Sequence, residues 1–166
     1  MKHPDQRVGV FVDVQNMYHS AKNLYSARVN FDQILKEAAA NRKLIRAVAY
    51  VIESKSEEEQ KFFEVLSKQG FELKMKNLQV YASGLKKGDW DVGLVIDAIK
   101  MAPQLDVIVL VSGDGDFVPA VEYLQYHGNK VEVLAFGETS SSNLKEVADE
   151  FIDLAWDQRR FLRKIK

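Results

Sequence analysis

Apolar, strand-like runs alternate with helix-like periodicity along almost the whole chain, and that alternation leaves few folds open. Val8–Val12 is a short β-branched and aromatic run, Leu44–Ile52 reads as a buried strand, and Leu105–Val111 is the clearest strand of all. Phe71–Met75, Leu78–Ala82, Lys130–Phe136 and an end segment at Phe151–Leu154 add further strand candidates. Between them lie helical signals. Phe31, Ile34, Leu35 and Ala38 share one helical face behind Asn30 as a cap, and Ser56 followed by Glu59 marks the start of a helix that ends at Gly70. Asp89–Met101 is a helix closed by Pro103, Phe117–His127 one ending at Gly128, and another follows Thr139–Ser142. Strands alternating with helices predict an α/β fold, a three-layer α/β/α sandwich around a mainly parallel central sheet.

Composition narrows the class of protein. A chain of 166 residues is one domain, and 46% hydrophobic with 28% charged residues excludes wholesale disorder. Lys and Arg number 23 against 24 Asp and Glu, so a polyanion must be gripped by a local basic patch rather than by overall charge. The absence of Cys removes disulfides, thiolate nucleophiles and Cys-ligated zinc together. The longest apolar runs fall far short of a membrane span, and the polar start Met1–Arg7 is no signal peptide, so the expectation is a cytoplasmic protein without a membrane partner.

The chemistry is carried by acids at strand ends. Asp13 follows the strand Val8–Val12 directly, and Asp114 and Asp116 follow Leu105–Val111 in the run Ser112-Gly113-Asp114-Gly115-Asp116-Phe117. The carboxyl ends of strands in an open parallel sheet form the ligand crevice. If the two strands are neighbours, the three carboxylates converge and repel, and a hard divalent cation such as Mg²⁺ or Mn²⁺ is the simplest compensator. Any one of these acids alone reads equally well as a turn former or helix cap. Taken together, with glycines on both sides of Asp114, they point to a metal site.

Two competing readings of the same glycines are weaker. A dinucleotide loop needs a third glycine where Val118 stands, and two carboxylates repel a pyrophosphate. A haloacid-dehalogenase-type phosphatase needs a second Asp two residues after the first, where this chain has Gln15. The helix near Asp89 offers Asp89, Asp91 and Asp97. Asp91 and Asp97 lie roughly 120° apart around a helix, so only one can face a small site. Asp91, at the helix start, is the expected ligand, and Asp97 the expected supporter or partner of a base.

Phe11-Val12-Asp13-Val14-Gln15-Asn16, Lys87-Gly88-Asp89-Trp90-Asp91-Val92 and Ser112-Gly113-Asp114-Gly115-Asp116-Phe117, in this order and spacing, resemble the NYN domain of the PIN-like nuclease superfamily, close to its bacterial LabA-like branch. Asn143–Phe151 resembles that family's closing helix and strand. The resemblance implies a PIN-like fold over residues 1–154, with residues 155–166 as a C-terminal amphipathic basic helix or tail. It implies Mg²⁺- or Mn²⁺-dependent cleavage of RNA. Carried over by position, Asp13, Asp91, Asp114 and Asp116 are the metal-site acids, with Asn16 and Ser112 positioning water or phosphate. Trp90 stands where many members carry a smaller apolar residue.

The leading functional expectation is therefore a metal-dependent ribonuclease acting on single-stranded RNA. The alternative is a non-catalytic regulatory module that binds RNA or a protein partner. Lys86 and Lys87, with Lys74 and Lys76, are candidate phosphate contacts, and Tyr18, Tyr81 or Trp90 can stack an unpaired base. The tail carries Arg159, Arg160, Arg163, Lys164 and Lys166 on one side and Trp156, Phe161, Leu162 and Ile165 on the other. Packing or self-association into a homo-oligomer is the expected use of that tail.

Overall fold

The computed structural model describes residues 2–53, 55–76, 79–80, 86–87 and 90–164. In chain order its elements are β1 (Arg7–Asp13), α1 (Val14–Tyr25), β2 (Ala27–Val29), α2 (Phe31–Ala39), β3 (Lys43–Ile52), α3 (Glu57–Lys68), β4 (Glu72–Lys76), β5 (Gln79–Val80) and β6 (Lys86–Lys87). They continue with α4 (Asp91–Met101), β7 (Val107–Val111), α5 (Val118–Tyr126), β8 (Lys130–Ala135), α6 (Ser142–Val147), β9 (Glu150–Asp153), α7 (Gln158–Phe161) and β10 (Leu162–Lys164). Six strands form one sheet in the order β4-β3-β1-β7-β8-β9, and each neighbouring pair is parallel.

Alternation along each strand builds two cores. Val8, Val10 and Val12 of β1, Ala47, Ala49 and Val51 of β3 and Val107, Val109 and Val111 of β7 pack with Met17 of α1, Ile34 and Leu35 of α2 and Phe63 and Leu66 of α3. Phe11, Val48, Tyr50, Ile108 and Leu110 face the other way and pack with Leu94 and Ala98 of α4, Val121 and Leu124 of α5 and Leu144 of α6. Strands buried on both faces read as continuous apolar runs, which is why β7 is the clearest strand in the sequence.

Right-handed crossovers then fix the crevice. The connections from β1 to β3 and β3 to β4 run over the first face, whereas those leaving β4, β7 and β8 run over the second. The chain therefore reverses its winding between β1 and β7. Diverging connections open a cleft at the carboxyl ends of that strand pair.

Some boundaries move and some elements escape the sequence. Alpha4 starts at Asp91 rather than Asp89, because Trp90 occupies the N-cap position. Within the expected strand Leu78–Ala82, Gln79–Val80 pairs antiparallel with Lys86–Lys87, and Leu78, Tyr81, Ala82, Ser83, Gly84, Leu85, Gly88 and Asp89 lie outside the described residues. Beta2 carries no periodic signal over three residues and is formed by antiparallel pairing with β10. Residues 155–164 thus fold back onto the domain, where Phe161 is buried and Arg160 bonds Gln33 and Glu37 of α2 at 3.0 and 3.1 Å. Trp156 of the same segment is 90% exposed.

At the opposite, amino-terminal edge of the sheet, Arg42 and Glu132 form a buried bidentate pair, with both N···O distances 2.9 Å. Arg42 also donates to the carbonyls of Ala38 and Ala39 and to Gln6. Removing one partner strands a buried charge, so Glu132→Leu is expected to cost about 3–5 kcal/mol, whereas Arg42→Met with Glu132→Leu costs markedly less. Urea denaturation of the two variants measures the difference, and equal losses would mean that the pair's desolvation is not what matters.

Candidate metal centre

Three carboxylates from three different elements meet at the winding reversal. Oxygens of Asp13, Asp91 and Asp114 all lie within 4.8 Å of one another, and each residue is half-buried. Asp13 ends β1, two residues beyond Phe11, so the pleat turns it toward the face that α4 covers. Asp114 comes three residues after β7, whose pairing with β1 joins Val12 to Val111. Asp91 opens α4. A helix dipole explains an acid in a first turn, but not its convergence with two acids from neighbouring strand ends.

Hydrogen bonds lock the two strand ends together. Ser112, fully buried, donates from Oγ to Asp13 Oδ2 at 3.2 Å and accepts from the Asp114 N–H at 3.2 Å. Asn16 gives its N–H to Asp13 Oδ1 at 3.2 Å, while its own Oδ1 accepts from the Gly113 N–H at 3.1 Å. Asp114 Oδ1 in turn accepts from the Asp116 N–H at 2.9 Å. Each ligand candidate from a strand end is thereby oriented by a neighbour's backbone or hydroxyl, the arrangement by which outer groups aim metal ligands.

The glycines beside Asp114 serve a purpose the sequence did not disclose. Neither Gly113 nor Gly115 has the positive φ that only glycine adopts readily. A Cβ on Gly113 would lie 2.5 Å from Ser140 Oγ, and one on Gly115 2.7 Å from Ser141 Oγ. The loop after β8 presses against the acid loop, and the Ser141 N–H bonds the Gly113 carbonyl at 3.0 Å.

Comparison with known proteins shows the family and the fold. The NYN domain profile matches residues 7–155. The chain belongs to the NYN domain family. Among curated relatives, the low amplitude and bright protein LabA of Synechococcus elongatus is 29% identical over 95% of this chain and 88% of its own length. An uncharacterised protein of Methanocaldococcus jannaschii is 26% identical over 90% of this chain and 56% of its own. A solved structure of a protein of unknown function from Vibrio parahaemolyticus superposes with a TM-score of 0.89 at 34% identity, covering 98% of this chain and 99% of that one.

The NYN triad fits a hard divalent ion by its donor set. All three ligand atoms are carboxylate oxygens, and a six-coordinate Mg²⁺ at about 2.1 Å sets neighbouring ligand oxygens about 3.0 Å and opposite ones about 4.2 Å apart. The triad's oxygens lie within 4.8 Å of one another, a spacing of the same order. Asp116 is not drawn into this group: its carboxylate is exposed, and its link to the site is its backbone N–H. Ser112 and Asn16 reach the site through Asp13 and Gly113.

Other expected contacts are placed as follows. Lys74 pairs with Asp97 at 2.7 Å, so the expected phosphate contact is engaged within the fold, and Asp97 has the base partner anticipated for it. Trp90 donates its indole N–H to the Val51 carbonyl at 2.8 Å, with Lys76 Nζ 5.6 Å from its ring. Tyr18 is exposed on α1, edge-on to His19 and 5.8 Å from Lys22 Nζ. The backbone of Lys86 and Lys87 forms β6, and their side chains lie outside the described residues. Among the described residues, no helix is long and apolar enough to cross a membrane.

The Asp97 network shifts two groups. Burial pushes the Asp97 carboxyl up, but hydrogen bonds from Lys74 and Tyr50 outweigh it and hold the carboxyl below its ordinary value. Burial, reinforced by that carboxylate, drives the Tyr50 phenol well above its usual range.

Two measurements follow from these contacts. A depressed folded-state value means that Asp97 contributes stability above the unfolded value of about 3.9, lost as pH falls through the lower folded value. The stability gap between wild type and Asp97→Asn is therefore expected to shrink as pH is lowered from 6 to 3, and a gap independent of pH would contradict the assignment. For the triad, Mn²⁺ at a hundred times its dissociation constant is expected to stabilise wild type by about 2.7 kcal/mol and Asp114→Asn hardly at all. Without metal the same substitution relieves repulsion and keeps a cap acceptor, so apo stability stays level or rises by up to about 1 kcal/mol. Equal metal responses in parallel melting curves would remove Asp114 from the ligand set.

Proposed function

We propose that this protein is a metal-dependent ribonuclease that hydrolyses phosphodiester bonds in single-stranded RNA. The observation that supports the reading is the convergence of Asp13, Asp91 and Asp114 at the winding reversal of the sheet. Membership of the NYN family, with its PIN-like nuclease relatives, supports it further. A carboxylate-held Mg²⁺ or Mn²⁺ neutralises charge on the scissile phosphate and lowers the pKa of a bound water.

The chain's own residues supply the rest. Asp13 and Asp114 present their oxygens in orientations set by Ser112, Asn16 and the Asp116 backbone. Asp91 closes the third side from α4. Asp116, at the exposed rim, is the acid best placed to meet solvent and substrate beyond the triad. In this reading Lys86 and Lys87 contact phosphates on the approach and an exposed aromatic such as Tyr18 stacks an unpaired base. No Ser, Cys or His nucleophile is needed for such hydrolysis, which suits a chain with no Cys and with His3, His19 and His127 away from the triad.

The test is incubation of purified protein with labelled single-stranded RNA in Mn²⁺, Mg²⁺ or EDTA. Cleavage is expected with metal and not with EDTA, and Asp13→Asn, Asp91→Asn or Asp114→Asn should each lower the rate at least about a hundredfold. Asp116→Asn is expected to lose less. RNA bound but uncut by wild type under all metal conditions would replace this reading with the non-catalytic module.

A further inference from the structure

Asp91 is the one member of the triad carried by a helix rather than by a strand or the loop after one. Asp13 and Asp114 are fixed by hydrogen bonds between β1 and the loop after β7, whereas Asp91 arrives on the first turn of a helix. Three crowded carboxylates repel one another, so α4 must be held in place by something other than the acids it brings together.

The holding contacts are on the far side of α4 from Asp91. Asp97, six residues on and roughly 120° around the helix, accepts from Tyr50 Oη at 2.8 Å and from Lys74 Nζ at 2.7 Å. Tyr50 is 1% exposed and lies in β3 directly beside Asp13 in the sheet register. Its ring also packs 5.4 Å from that of Trp90, which immediately precedes Asp91. Trp90 is itself tied to the Val51 carbonyl, and its ring lies where a side chain on residue 93 would stand: a Cβ on Gly93 would come within 2.6 Å of it. One buried tyrosine thus touches both anchors of α4 and neighbours the strand residue that Asp91 must meet.

We propose that Tyr50, Asp97 and Trp90 are positioning residues: by pinning α4 to β3 and β4 on either side of its first two turns, they set the rotation that brings Asp91 to Asp13 and Asp114. The proposal rests on the metal-centre reading of the triad, but its structural half can be judged without metal. A hydrogen-bonded phenol–carboxylate–ammonium chain is directional, which suits it to fixing rotation where the apolar contacts of Leu94 and Ala98 do not. The same geometry accounts for glycine at position 93, since the indole needs that space.

The experiment uses the full chain with Tyr50→Phe, Asp97→Asn, Trp90→Phe, Lys74→Arg and Lys74→Met. In metal-free protein, amide exchange at Leu94, whose N–H bonds the Trp90 carbonyl at 2.7 Å, is expected to quicken in Tyr50→Phe and Asp97→Asn while amides of β1 and β7 keep wild-type rates. Unchanged exchange at Leu94, or a uniform rise over the whole sheet, would overturn the anchor. Mn²⁺ titrations followed by water-proton relaxation then test the link to Asp91. Asp97→Asn is expected to weaken binding about tenfold, Lys74→Met to weaken it less and Lys74→Arg to restore it, with no loss exceeding that of Asp91→Asn. Wild-type affinity in both Asp97→Asn and Tyr50→Phe would overturn the proposal even if the triad binds metal. A wild-type chain that takes up no Mn²⁺ would overturn the metal centre and with it the link to Asp91, and the exchange result would then decide the anchor alone.

Discussion

Parallel pairing of β1 with β7 is the contact on which the rest of the molecule depends. Five residues of each strand run side by side, from Val8 with Val107 to Val12 with Val111, and all are buried. A parallel pair that is not joined by a single crossover has connections leaving to opposite faces, and the gap above its carboxyl end is left open by that divergence. Asp13 and the loop of Ser112 to Asp116 fall into this gap because they follow the paired strands at once. A one-residue slip in the register would turn Asp13 toward the other core and leave Ser112 without its hydrogen bond. Packing of valines therefore determines where the carboxylates stand.

Crowded acids work against that packing, and the surrounding polar contacts are arranged to hold them in place. The bonds from Ser112 and from the backbone of Asn16 and Asp116 each give an acceptor oxygen a defined donor. Such donors fix the direction of a carboxylate. The serines of the loop after β8 press on the two glycines of the acid loop from outside, so the loop cannot relax outward to separate the charges. The helix carrying Asp91 is tied in addition to β3 and β4, through Tyr50 and Lys74 to Asp97 and through Trp90 to Val51.

The parts of this arrangement visible in the sequence are those written in local pattern. Strands buried on both faces, the spacing of Phe31, Ile34, Leu35 and Ala38, and acids placed just after apolar runs all depend on neighbours within a few residues. They yielded the α/β fold and the family. The hidden parts depend on contacts far apart in the chain. Beta2 exists because β10 pairs with it across more than a hundred residues, and Arg42 meets Glu132 across 90. Asp97 is legible as a supporting acid or the partner of a base, but its link to Tyr50, 47 residues away, is not. Its supporting role follows from its place roughly 120° around the helix from Asp91. The glycines beside Asp114 read in the sequence as backbone freedom, whereas what they provide is room for Ser140 and Ser141.

Charge near the cleft has one further consequence for any polyanion that approaches. The chain is close to neutral overall, and the crevice itself is acidic. Lys74, which from sequence looks available to a phosphate, is committed to Asp97, and Lys76 lies over the Trp90 ring. Lys74 and Lys76, beside α4, thus neutralise or shield the protein's own residues before they can attract a ligand. Favourable potential at the triad must then come from a bound cation, whose double charge offsets the carboxylates within a few ångströms, and from lysines further along the approach. If the triad holds a cation as proposed, its occupancy and any affinity for a polyanion would be coupled through electrostatics, because the empty carboxylates repel phosphate and the ion's charge offsets them.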